Sequence, residues 1–122
     1  MPWELNADRP IYTQLIEQIE LKICSGIYAP GSRLPSVRDL AREASVNPNT
    51  MQRALAKLEE DGLLYSTRTS GRFVTEDDSV INQVKSKLAQ EQIQDFLKKM
   101  KQLGFDNKEI LNMLKTMLEE VK

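Results

Sequence analysis

Apolar residues recur along this chain with two different periods, and the changes of period divide it into elements. Between residues 10 and 25, Ile11, Leu15, Ile19 and Ile23 fall four apart, and Ile16 and Cys24 widen the stripe. That spacing gives a helix one apolar face. Pro10 suits the first turn, where a missing N–H is harmless, and Gly26 should end the helix. The next stretch, GIYAPGSRLPS, is a turn-rich connector. Ser36 then opens a short helix with Val37, Leu40, Ala41 and Ala44 on its apolar face, and Ser36 with Asp39 makes a capping box, S-x-x-D. Ser45-Val46-Asn47 turns the chain. A further helix starts at Pro48, with Asn47 as its N-cap; Met51, Ala54, Leu55 and Leu58 face inward, and Asn49, Gln52, Arg53 and Lys57 face outward. Glu59-Glu60-Asp61 crowd its C-terminal end, and Gly62 stops it.

The pattern then shortens. LLYST (63–67) and RFVT (72–75) read as two strands joined by RTSG, with Gly71 as the turn residue. From residue 78 the helical period returns through Val80, Ile81, Val84, Leu88, Ala89, Ile93, Phe96, Leu97, Met100 and Leu103, and Gly104 breaks it. Asp106 and Glu109 form a second capping box. Ile110, Leu111, Leu114, Met117, Leu118 and Val121 stripe the last helix. The chain is therefore mainly α with a small β-hairpin: an N-terminal winged helix-turn-helix over residues 1–76, then a C-terminal helical hairpin over 77–122.

Composition narrows what such a fold can do. The chain has 122 residues, one cysteine and no histidine. The commonest acid–base residue is missing, Cys/His zinc clusters and Cys–His catalysis are excluded, and there is no Walker A loop. The expectation is no enzyme, no catalytic residue, no metal and no cofactor. No apolar run approaches the roughly 18 residues of a membrane span, and MPWELNADRP does not read as a secretory signal. The lone Cys24 reads as a packed helix residue, and a cytoplasmic protein is the simplest expectation. Trp3 and Tyr12 read as core or junction aromatics.

Net charge is −1, but the cations are unevenly distributed. Arg9, Arg33, Arg38, Arg42, Arg53, Arg68 and Arg72 all precede residue 76, and every cation after it is Lys. The planar Arg fork binds two acceptors at once, which suits phosphates and base edges. A helix-turn-helix puts the N-terminal residues of its second helix into the major groove. Asn49, Gln52 and Arg53 face outward there; Asn and Gln can pair with adenine and Arg with guanine. Ser36 and Thr50 can donate to phosphates near helix N-termini. Asn47 has two uses open to it, as a cap and as a groove-edge contact. Arg53 could instead pair with Glu43, while Arg33 and Arg42 read mainly as solvated or ion-paired.

Four sub-signatures occur in order: G-x-Y-x-P-G-S-x-L-P-S-x-R-x-L-A, V-N-x-N-T, A-L-x-x-L-x-x-x-G-L-L and S-G-x-F-V. Together they resemble the DNA-binding domain of GntR-family transcriptional regulators over about 65 residues. The resemblance implies that Arg38 reaches the DNA beside the recognition helix. It also implies that the wing tip, Arg68, Ser70, Gly71 and Arg72, touches the minor groove or its phosphates. Pro48 departs from relatives with a polar or basic residue there; it cannot donate, so base specificity does not carry over. The short tail is similar to the YtrA-type subfamily, in which two C-terminal helices mediate dimerisation. That likeness implies a repressor, often of its own operon and adjacent ABC-transporter genes.

The tail stripe itself points to a partner. Ile81, Val84, Leu88, Ile93, Phe96, Leu97, Met100, Leu103, Ile110, Leu114, Met117 and Leu118 form more apolar surface than a small monomer leaves bare. The last helix can cover part of it and a second copy the rest. The expected partners are double-stranded DNA and a second copy of the chain. Any small-molecule effector would act through the tail or the junction near residues 74–80. Two alternatives stand beside this: an architectural DNA-binding protein with weak sequence preference, and a winged-helix protein-interaction adaptor.

Overall fold

A computed structural model describes residues 3–120; Val121, at the end of the last stripe, lies outside the described residues. The elements are helices α1 (Ile11–Cys24), α2 (Val37–Ala44) and α3 (Pro48–Glu60), strands β1 (Leu64–Thr67) and β2 (Gly71–Val74), then helices α4 (Asp78–Gln102) and α5 (Asn107–Glu120). The fold is mainly helical with one small antiparallel hairpin, as the apolar pattern predicts.

The chain divides into two compact units, the first ending at Lys85 and the second beginning at Ser86. In the first unit, Leu15 and Ile19 of α1, Leu40 of α2, Met51, Leu55 and Leu58 of α3, and Leu63 and Val74 beside the hairpin form a fully buried core. Burying side chains of this size contributes roughly 1.5–3 kcal/mol each, so α1–α3 hold one another in place. Val80, Ile81 and Val84 of α4 pack against the same core. This is why the unit runs past residue 76, where the change of cation type set the boundary.

Local chemistry fixes the element ends. Ser36 Oγ accepts the Asp39 N–H at 3.1 Å, which closes the expected half of the capping box at α2. Ser45 takes φ +56°, and its left-handed conformation makes the tight exit from α2 toward α3. Asp106 and Glu109 cap reciprocally, Asp106 Oδ1 accepting the Glu109 N–H at 2.8 Å and Glu109 Oε1 the Asp106 N–H at 3.0 Å. Pro10 differs from expectation. It sits before the first turn with ψ 132°, as the N-cap residue of α1. A neighbouring side chain takes over the local bonding: Gln14 amide donates to the carbonyls of Asn6 and Arg9, and its oxygen accepts the Asn6 N–H.

In the hairpin, Leu64 pairs with Val74 and Thr67 with Gly71. Residues 32–34 add a third edge, with Leu34 N–H donating to Arg72 and Val74 N–H to Ser32. Thr75 is buried and donates its N–H to Leu63, and Asp77 N–H donates to Thr75 Oγ1, so the expected junction at 74–80 is tied into the first unit. Burial raises the Cys24 thiol above its ordinary pKa, with Glu20 adding to the effect and Lys85 opposing it, which fits a packed rather than a reactive thiol. Trp3 and Tyr12 pack against the core cluster.

In the second unit Ile110 is the one buried residue among those described. Phe96, Leu97 and Met100 are half-buried, while Ile93, Leu103, Leu111, Leu114, Met117 and Leu118 are exposed. The expected covering of the stripe by the last helix is thus slight. Among the described residues no helix is long and apolar enough to cross a membrane.

Candidate nucleic-acid interface

The N-terminal turn of α3 is built to present side chains. Asn47 is extended (φ −64°, ψ 131°), and its side-chain oxygen accepts the Asn49 N–H at 2.7 Å. Pro48 follows at a position where no backbone donor is required. Met51, Ala54, Leu55 and Leu58 anchor the opposite face in the core, so the helix cannot rotate without unpacking. Asn49, Gln52 and Arg53 are exposed and Thr50 is half-buried at this end.

Arg53 does not pair with Glu43. Its guanidinium lies over the Tyr12 ring of α1, 4.7 Å from the centroid. The ring face carries negative charge density and steadies the cation without neutralising it. Arg38, near the start of α2, is exposed and has no ion-pair partner among the described residues. Arg42 pairs loosely with Asp39 at 3.8 Å across one helical turn. Ser36 engages the Asp39 N–H through its oxygen, which leaves its hydroxyl proton free to donate.

The hairpin supplies the second part of the surface. Tyr65 and Phe73 stack across the strands with centroids 5.6 Å apart, stiffening the base. Thr67 Oγ1 accepts the Ser70 N–H at 3.1 Å and shapes the turn. Arg68 and Ser70 are exposed at the tip. Gly71 has φ +96°, and a Cβ there would stand 3.2 Å from Arg33 Nε. The exposed Arg33 side chain therefore lies along the wing at Gly71. Its sequence signal is faint: Leu34 alternates inward, so Arg33 must face out, but nothing local says it faces the wing.

Arg72 differs from the other wing cations. Its Nε donates to Glu59 Oε1 of α3 at 3.0 Å, and its Nη1 donates to Gln52 Oε1 at 3.1 Å. Ser66 hydroxyl donates to the same Glu59 oxygen. No acid lies between residues 62 and 75, yet an acid of the preceding helix reaches into the hairpin. Sequence spacing alone does not bring Glu59, Gln52 and Arg72 together.

The first unit thus brings a capped helix end, two partly free arginines and a stiff hairpin with a cationic edge onto its surface. Among the described residues no group of His, Cys, Asp or Glu could hold a metal ion. With the geometry in view, comparison with known proteins is informative. Residues 11–74 match the family model for bacterial regulatory proteins of the gntR family. The HTH-type transcriptional regulator YhcF of Bacillus subtilis is 36% identical over 116 residues, which is 95% of this chain and 96% of YhcF. The HTH-type transcriptional repressor YtrA of the same organism is 39% identical over 71 residues, 58% of this chain and 55% of YtrA. A solved structure of a GntR family transcriptional regulator from Listeria monocytogenes superimposes with a TM-score of 0.83 at 37% identity, covering 92% of this chain and 98% of that one.

Proposed function

The chain belongs to the gntR family of bacterial regulatory proteins, and from that premise we propose that it is a homodimeric repressor of the YtrA type, working in the cytoplasm on a pseudo-palindromic operator. The family makes it a sequence-specific DNA-binding regulator of the helix-turn-helix class and a non-catalytic protein. Residues 1–76 read DNA and residues 77–122 join two copies.

The observation that carries this reading is the exposed, capped N-terminal end of α3. It presents Asn49, Gln52 and Arg53 from a helix locked by its buried face. Side chains held this way can enter a major groove, with Asn47 and Thr50 at its edge. In this reading Arg38 reaches the DNA beside the recognition helix, Ser36 donates to a phosphate, and the wing residues Arg68, Ser70 and Gly71 touch the minor groove or its flanking phosphates. Dimerisation is supported by the exposed Ile93, Leu103, Leu114, Met117 and Leu118 of the second unit. Phe96, Leu97 and Met100 continue that surface, and Leu88 lies on the same helix. Ile81, Val84 and Ile110 contribute less, because their own unit already covers them. A two-fold pair of heads raises the effective concentration of the second on its half-site, which offsets the slight net charge of each chain.

Repression follows by occluding a promoter. By resemblance to the YtrA-type subfamily, whose targets often include the regulator's own operon and adjacent ABC-transporter genes, such genes are the proposed targets, and an effector, where one exists, acts through the tail or the junction near residues 74–80. A gel-shift titration tests the reading, using the upstream region of its own gene and a scrambled duplex at several salt concentrations. Preference for the upstream duplex by about a thousandfold or more is expected, at roughly the lower end of specific recognition. Equal affinity for both would overturn it in favour of an architectural role, and no binding to either would favour an adaptor.

A further inference from the structure

Arg72 is the wing cation with the most structure around it, and its surroundings point inward. Its side chain is 18% exposed and that of Glu59 is 29% exposed. Nε is held by Glu59 and Nη1 by the Gln52 carbonyl oxygen, while Ser66 ties the same carboxylate to the hairpin. A guanidinium has donors only, so the group facing it at Gln52 must be the oxygen. The Gln52 NH2 group is therefore the end of the amide left for the groove. Glu59 also balances the Arg72 charge, which a phosphate contact would need.

We infer that Arg72 is a positioning residue: it holds Gln52 with its amide donors turned toward the DNA, so that Gln52 selects a base edge offering an acceptor. Guanine N7 and O6, adenine N7 and thymine O4 are such edges, and the cytosine N4 amine is not. The inference rests on the DNA-reading role of the α3 end. Arg72 replaces no backbone contact here; it sets which face of one amide the DNA meets. The wing and the reading helix are joined through the same guanidinium, so the hairpin also bears on base choice without touching a base.

Binding-site selection from a random duplex pool tests this with the full-length chain and the variants Gln52→Ala, Arg72→Ala, Arg72→Lys and Glu59→Gln. The base pair that loses its preference in Gln52→Ala identifies the pair Gln52 reads. Arg72→Ala should shrink that discrimination by roughly five- to tenfold and leave the other positions unchanged. In the Gln52→Ala background, Arg72→Ala should have no further effect on preference. The salt dependence of affinity should keep its slope in Arg72→Ala, whereas losing a phosphate contact lowers it by about one. Arg72→Lys, which lacks the planar fork that reaches Glu59 and Gln52 from separate nitrogens, should not restore the preference, and Glu59→Gln should weaken it.

A slope reduced by about one, with unchanged preferences, would make Arg72 a phosphate contact and overturn the inference. Preferences at other positions with none altered by Gln52→Ala would overturn this inference alone. A flat profile for the native chain would overturn it together with the proposed function.

Discussion

At the scale of single residues, what matters is which cations remain available. Arg38 is exposed and unpaired among the described residues, Arg53 rests on Tyr12, Arg33 lies along the wing at Gly71, and Arg72 is engaged by Glu59 and Gln52. Replacing Arg38 with Ala should lower operator affinity at least tenfold while the fold stays intact, as checked by gel shift and circular dichroism; a contact to a charged group is worth about 1.5–3 kcal/mol. With Arg33 proposed to meet a phosphate from beside the wing, Arg33→Ala should weaken binding to all duplexes alike and reduce the salt slope by about one. Titrating the variant at three or more salt concentrations checks this. The sequence conveys much of this surface: the outward positions of α3 follow from helical period, and Arg38 from its place in the L-P-S-x-R run. It does not convey pairings across elements. Arg53 with Tyr12, and Arg72 with Glu59, join residues far apart in the chain, and only packing of α1 and the hairpin against α3 brings them together.

At the scale of elements, caps decide where the reading residues stand. Asn47 closes the first turn of α3, so Asn47→Ala should cost about 1 kcal/mol of stability. Urea unfolding measures that loss, and operator affinity should fall too, because Asn49 and Gln52 follow the first turn. Leu55→Ala should be more severe, about 2–5 kcal/mol, since Leu55 is fully buried between α3 and the rest of the core. Asp77 caps α4, its Oδ1 accepting the Ser79 hydroxyl at 2.6 Å and the Ser79 N–H at 3.0 Å. These bonds hold its carboxyl below the ordinary range. A depressed folded pKa means the stabilising contribution is complete above the unfolded value, about 3.9, and is lost as pH falls through the lower folded value. Asp77→Asn should therefore flatten the acid side of a melting-temperature profile below about pH 4. Most element bounds are legible because Ser36, Asn47, Asp106 and the glycines mark them. The start of α1 is less so, because Pro10 is compatible with both the cap and the first turn.

At the scale of the whole molecule, the second unit leaves apolar surface uncovered. Met117 is 58% and Leu118 69% exposed, with Leu103 and Leu111 exposed too. The stripe was legible from its period, but the sequence does not tell which residues their own unit covers; Ile81 and Val84 join the first core because α4 starts directly after the buried Thr75. Changing Met117 and Leu118 together to Glu should convert the proposed dimer to a monomer in sedimentation equilibrium. The first unit should keep its native far-ultraviolet signal, and operator affinity should fall about 100-fold or more as the linked second head is lost. In the proposed function two copies read an inverted repeat through α3. Selection of binding sites by the native chain from a random duplex pool tests it most directly. Two copies bound in this way should enrich an inverted repeat whose half-sites lie about one helical turn, or a multiple of it, apart. A profile with no enriched positions, or a single unrepeated half-site bound by one copy, would contradict it.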